Sequence, residues 1–274
     1  MKSIIKKLDE IGFVNVRLTK SAKISHKIGD KSNISNPKAY IYSKDYKCPV
    51  CGMDFENWAL KVSTLKMGES GIDLRPVYMP LDPLYYDVIL CPYCGYGAMG
   101  SYFQEFPEDR VKEIKDNVSP NFVYVDYPML YTVDMVVERY LVALLNTLIK
   151  GAASSERAYL CLKLAWLNRD KRDLGQESLF HRYALAGFKA AYEDEEFPIC
   201  GMDKPTLSYI IADLSRRTGE FDEALYFINQ VISARDSNQR LHDKAVTVKD
   251  LIRVDRVKED AFAAFRKVVQ NSNR

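Results

Sequence analysis

The spacing of apolar residues changes character along this chain, and the change divides it. Ile4, Ile5, Leu8 and Ile11 recur at helical intervals with Gly12 as a stop, so residues 3–11 are predicted to form a short amphipathic helix. Lys20 to Lys38 has no such period and reads as loop. From Tyr40 to about Phe106 the chain turns aromatic and strand-like, with Tyr42, Tyr46, Phe55, Trp58, Tyr78, Tyr86, Tyr96 and Phe103 among its rings. Strands are expected around Trp58 to Leu65, Pro76 to Met79 and Tyr86 to Leu90, with a turn at Leu81-Asp82-Pro83-Leu84 before the last. A short helix is expected at 107–116, where Pro107, Glu108 and Asp109 suit a first turn. Asn117 to Tyr131 is a connector. The period is then helical to the end, with candidates near 133–150, 154–168, 175–193, 205–218, 222–235 and 239–270. No strand pattern interrupts them, and short connections imply antiparallel neighbours, as a bundle or as stacked hairpins.

The cysteines add chemistry to the strand-like part. Cys48-Pro49-Val50-Cys51-Gly52 and Cys91-Pro92-Tyr93-Cys94-Gly95 form two knuckles, and Cys48, Cys51, Cys91 and Cys94 have the spacing of one closed tetrahedral zinc site. Two residues between thiols let one tight turn aim both sulfurs at a single ion, and the glycine that follows admits positive φ. Iron is the substitute ion, since four thiolates suit both metals. A thiol oxidoreductase using Cys91 and Cys94 is one rival; it needs a long helix opened by the motif, and Gly95-Tyr96-Gly97 is a poor helix start. A disulfide framework is the other, and Met1 to Gly12 lacks the apolar core of a signal peptide. Four protein thiolates leave no open position for catalysis at the metal. The 39 residues between Cys51 and Cys91 exceed what a minimal ribbon needs.

Within the helical part, Thr206 to Leu225 resembles one tetratricopeptide hairpin. Ala212 and Ala224 are small where two helices would cross, Gly219 would end the first, and Phe221 would wedge the turn. A weaker echo lies at Ala165 and at Ala184, Ala186 and Gly187, but Ala165 and Ala212 are 47 residues apart, outside the repeat's period of about 34. The last helix carries a stripe of Leu241, Ala245, Val248, Ile252, Val257, Ala261, Phe265 and Val268, read as a cap on the stack rather than a projecting pairing helix. The predicted fold is therefore mainly α with a small β part. A basic arm with a short helix occupies 1–39, a zinc-ribbon-like module 40–106, a connector with a short helix 107–132, and a tetratricopeptide-like helical domain 133–274.

Asp73-Leu-Arg-Pro-Val-Tyr78 and Asp82-Pro-Leu-Tyr-Tyr-Asp-Val-Ile-Leu-Cys-Pro-Tyr-Cys-Gly-Tyr-Gly97, with the first knuckle, resemble the uncharacterised bacterial family catalogued as domain of unknown function 2225. Leu164-Ala-Trp-Leu-Asn-Arg169, Leu174-Gly175 and Leu207 to Ile232 are similar to that family's helical half, so the likeness covers roughly residues 45–235. It implies a cytoplasmic bacterial protein with a cysteine metal site and helical repeats, and names no activity.

Charge and the remaining polar residues narrow the function classes. The net charge of +2 conceals an uneven spread, +7 over residues 1–47 and −5 over the rest. The basic arm reads as a solvated tail. A nucleic-acid-associated zinc protein would use it beside the aromatic rings, with binding that falls steeply with salt. No apolar run approaches a membrane span, and no phosphate loop or dinucleotide fingerprint is present. His26, His181 and His242 are scattered; Cys161 reads as a buried thiol and Cys200 as a bystander in a Pro/Gly loop. Asp73, Arg75, Asp82 and Asp87 form the best polar cluster, either stapling the loop between knuckles or recognising an anion. Arg169, Arg182, Arg216 and Arg217, with Lys171 and Arg172, are candidate groove cations. The function expected is a zinc-stabilised, non-enzymatic scaffold for a protein or peptide partner.

Overall fold

A computed structural model describes residues 2–10, 12–13, 36–234 and 238–272. Ile11, His26 and the predicted loop up to residue 35 lie outside them. Helix α1 (Lys2–Glu10) has the expected period. It is not a solvated arm, because Ile4 and Leu8 are buried against the central helix of the molecule. Just beyond it, Phe13 stacks on Tyr183 with ring centroids 4.2 Å apart.

The aromatic part forms three separate two-stranded antiparallel sheets. Strands β1 (Ile41–Lys47) and β2 (Asp54–Leu60) flank the first knuckle, pairing from Ile41 with Leu60 to Lys47 with Asp54. The short pair β3 (Lys66–Met67) and β4 (Tyr78–Met79) lies between the knuckles. Strands β5 (Val88–Leu90) and β6 (Gly97–Met99) flank the second knuckle. Helix α2 (Glu108–Asn117) has Glu108 and Asp109 in its first turn and buries Val111 and Ile114 beside the cysteines.

Helix α3 (Val133–Ile149) is the shared element. Thr132 caps it, accepting from the Met135 amide at 3.3 Å, and residues 139–147 are buried on every side. A helix apolar all round belongs inside. One side of α3 meets β5 and β6 and the other meets α4 (Ser154–Lys171), so one core runs without a break from Leu90 and Met99 to Leu160 and Leu164. Helices α5 (Leu174–Asp194), α6 (Lys204–Thr218), α7 (Phe221–Ser233) and α8 (Gln239–Ser272) follow. Each packs on its sequence neighbour, and α8 also reaches α6. Asp173 and Asp203 cap α5 and α6, Gly219 closes α6, and Ala212 and Ala224 are fully buried where α6 meets α7. No helix among the described residues is long and apolar enough to cross a membrane.

The α4–α5 hairpin depends on Gly187. A Cβ there would stand 2.9 Å from the Ala158 Cβ and 3.2 Å from the Ser154 carbonyl. Neither neighbour can swing aside. Alanine is the better helix former, yet Gly187→Ala is expected to destabilise the protein by about 1–2 kcal/mol in chemical denaturation, because overpacking outweighs propensity here.

The reading of α8 as a cap holds for half its length. Leu241, Ala245, Val248 and Ile252 are buried, but Val257 and Phe265 are 67% and 63% exposed. The reason is length. At 1.5 Å per residue, 34 residues extend about 51 Å whereas the 13 of α7 extend about 20 Å, so α8 outruns its support.

Candidate metal centre

The two knuckles are built alike. In each, the first cysteine amide donates to the carbonyl two residues past the second cysteine, Cys48 to Met53 at 3.0 Å and Cys91 to Tyr96 at 2.8 Å. Gly52 and Gly95 close the turns onto the first cysteine's carbonyl, with φ of +74° and +75° that the absent Cβ permits. The result brings all four Sγ atoms within 4.8 Å of one another. Contacts cross between knuckles, Cys48 to Cys94 at 3.6 Å and Cys51 to Cys91 at 3.7 Å. A metal held by thiolates at about 2.3 Å has tetrahedral edges of about 3.8 Å, so the site fits an S₄ cation. A disulfide at about 2.05 Å is excluded by the same distances.

Backbone amides around the sulfurs favour their anionic form. The Val50 amide donates to the Cys48 sulfur at 3.4 Å, and the backbone of Tyr93 and Cys94 lowers the pKa of Cys91 in the same way. Hydrogen bonds from Cys48 and Cys94 hold Cys91 well below the usual thiol range, while the contact with Cys91 pushes Cys48 up and those with Cys48 and then Cys91 push Cys94 up. Four sulfurs this close cannot all ionise without a cation between them. Cys48, Cys91 and Cys94 are buried and Cys51 is half-buried. The second knuckle leads into β6 and not a helix, so no helix N-terminus activates Cys91.

The polar cluster around Arg75 does not assemble as one group. The guanidinium forks onto Asp170 of α4, Nη1 to Oδ1 at 2.8 Å and Nη2 to Oδ2 at 2.7 Å, and Nη2 also donates to Asp82 at 2.9 Å. Burial opposes its charge, but Asp170 and Asp82 outweigh that and raise its pKa. Asp73 accepts from the Arg75 backbone amide at 3.2 Å but pairs with Arg169 and not with the Arg75 guanidinium; against the cost of burial, the field of Arg169 lowers the Asp73 pKa. Asp87 pairs with Lys163 of α4 and accepts from the Tyr140 hydroxyl at 3.4 Å. With Tyr209 donating to the Ile72 carbonyl and Lys244 to that of Ser70 at 2.8 Å, the long loop between knuckles is strapped to α4, α6 and α8. Asp170, Lys163 and Tyr140 escaped the sequence reading; Asp170 is 95 residues from its partner, and no local signal marks it.

The candidate groove cations are not a common anion-binding surface. Arg169 meets Asp73 and Glu177, Arg216 meets Asp213 and Asp255, and Arg217 meets Asp213. Lys171 meets Asp134, and Arg172 closes α4 in the left-handed conformation. Arg182 is exposed and donates to Ser178 at 3.1 Å. Most of the aromatic rings are likewise used internally, with Tyr46, Phe55, Phe103, Tyr96 and Phe106 stacking around the knuckles.

Cys161 is buried, which pushes its thiol up, and Cys200 accepts from the Tyr102 hydroxyl at 3.3 Å. His242 lies at the start of α8 beside Asp243. His181 is buried on α5, and burial, then the charges of Arg217 and Arg169, lower its pKa from the ordinary 6.5 to about 3. Below about pH 6.5 the unfolded chain gains a proton that the folded chain refuses, so stability falls as pH drops through the window down to about 3. His181→Gln is expected to flatten that part of the pH dependence, read from denaturant midpoints.

Between β1 and α4 lies a cleft of about 430 Å³, walled by Tyr42, Lys44 and Tyr46 on one side and Tyr159, Lys163 and Trp166 on the other. Arg75, Asp82 and Asp87 line it as well, whereas Asp73 does not.

No solved structure matches this chain. An uncharacterized protein of Borreliella burgdorferi is 33% identical over 87 residues, which are 29% of this chain and 31% of that protein. The profile of one protein family matches residues 41–252, which include both knuckles, α2 to α7 and the buried half of α8. By that match the chain belongs to the family of uncharacterized proteins conserved in bacteria, DUF2225.

Proposed function

We propose that this protein is a zinc-stabilised, non-enzymatic scaffold that holds a protein or peptide segment, with tetratricopeptide-like hairpins as its frame. The observation that carries the reading is the cleft between β1 and α4, because its walls come from both parts of the molecule. Rings from Tyr42, Tyr46, Tyr78 and Tyr159 supply apolar anchors, and Lys44, with the paired Lys163–Asp87 and Arg75–Asp82, supplies the polar groups that orient a bound segment. Four thiolates would fill the coordination shell of zinc and leave no place for a substrate, so the metal's role is to fix the ribbon that forms one wall. Iron is the alternative occupant, since the donor set suits both. Six cysteines without a disulfide favour a reducing, cytoplasmic setting for the protein.

The test is photo-crosslinking in bacterial cells from a reactive amino acid at Tyr159, with one at exposed Arg253 as control. Discrete adducts from position 159 alone are expected. Equal adducts from both positions, or none from 159, would overturn the reading.

A further inference from the structure

Arg139 differs from other buried and half-buried cations. Arg75, Lys150, Lys163, Arg169 and Lys171 each meet a carboxylate. Arg139 is 3% exposed and has only neutral partners among the described residues. Its Nη2 donates to the Asn57 side-chain oxygen and to the Val88 carbonyl, both at 2.7 Å, and its guanidinium lies over the rings of Tyr127 and Tyr131 at 5.0 and 4.8 Å. Nη1 has no hydrogen-bond partner among the described residues, and Nε is buried without one. A desolvated charge without a counter-charge is costly, and such a group is kept where something else supplies the charge.

A pocket of about 170 Å³ reaches Arg139. It shares no lining residue with the larger cleft and opens on the other face of β1, where Ser43 alternates with Tyr42 and Lys44. Exposed Glu56 and Asp126 line it too, holding the hydroxyls of Ser43 and Tyr124 at 2.6 and 3.3 Å. The pocket thus has one positive charge at its floor and two negative charges towards solvent. Its volume admits a molecule of a few heavy atoms and is well below what a drug-sized ligand occupies. A dianion such as phosphate would face both acids.

We propose that this pocket binds a small zwitterion of the amino-acid class, its carboxylate on Arg139 and its ammonium facing Glu56 and Asp126. The probes are glycine, acetate, methylammonium and inorganic phosphate, each titrated into the full metal-bound chain with ligand signals followed by NMR. Glycine is expected to bind saturably and acetate about tenfold more weakly, the loss of one charged hydrogen bond. The exposed double variant Glu56→Gln/Asp126→Asn should weaken glycine about tenfold and leave acetate no weaker than in the parent, and Arg139→Gln should abolish both. Acetate or phosphate binding as tightly as glycine, no saturation by any probe, or a double variant that binds glycine like the parent would each overturn the proposal.

Discussion

A chelator is expected to release about one zinc ion per chain and to free four thiols together, with loss of more than about 4 kcal/mol of stability. The magnitude follows from what the sulfurs support. Val50, Phe55, Ile89, Tyr96, Val111 and Ile114 pack with Cys48, Cys91 and Cys94 in one cluster, too small to hold its shape on apolar burial alone. Cys91→Ser/Cys94→Ser should reproduce the effect without chelator. Metal content by mass spectrometry, with thiol titration before and after chelation, reads both quantities from one sample. Protein free of metal with a single fast-reacting thiol would remove the staple from the proposed function and restore a redox dithiol at Cys91 and Cys94.

Arg75→Ala should cost about 3 kcal/mol, near the lower end for a broken buried ion pair because the side chain is 13% exposed. The substitution strands two carboxylates, Asp170 and Asp82, and also removes the donor to the Trp166 carbonyl. Arg75→Lys should recover only part of the loss, since an ammonium cannot fork onto Asp170 as the guanidinium does. Denaturant midpoints and crosslinking from position 159 separate two roles. Reduced stability with unchanged crosslinking means Arg75 staples the loop, and lost crosslinking in a folded variant means it contacts the partner.

The clustering of the four cysteines was legible because its information is local. Two cysteines two residues apart set the turn, and the duplicate names the partner turn. The helices were legible too, since each buries a stripe that repeats along the chain and ends at a visible cap such as Asp203 or Gly219. What stayed hidden were pairings across long separations. Arg75 with Asp170 and Arg169 with Asp73 join residues more than ninety positions apart. Arg139 did leave a trace, a cation beside Glu138 inside the otherwise apolar run Met135 to Leu145, but a charge in a buried helix does not say what it meets. The apolar stripe of α8 predicted burial throughout, while the lengths of α6 and α7 decided how much of it could be covered.

The central position of α3 also bears on biosynthesis. Gly97 of β6 lies close to Val142 and Ala143, and the Asn146 side chain donates to the Gly95 carbonyl at 3.0 Å. These contacts come from residues made roughly fifty positions after the second knuckle. On the ribosome both pairs of cysteines therefore emerge while the wall behind them is still missing, and a nascent chain ending near Phe106 presents Leu90 and Met99 to water. If an ion is loaded there, its binding and the docking of α3 would complete each other, and a ribbon excised at that point lacks the surface that covers Leu90 and Met99.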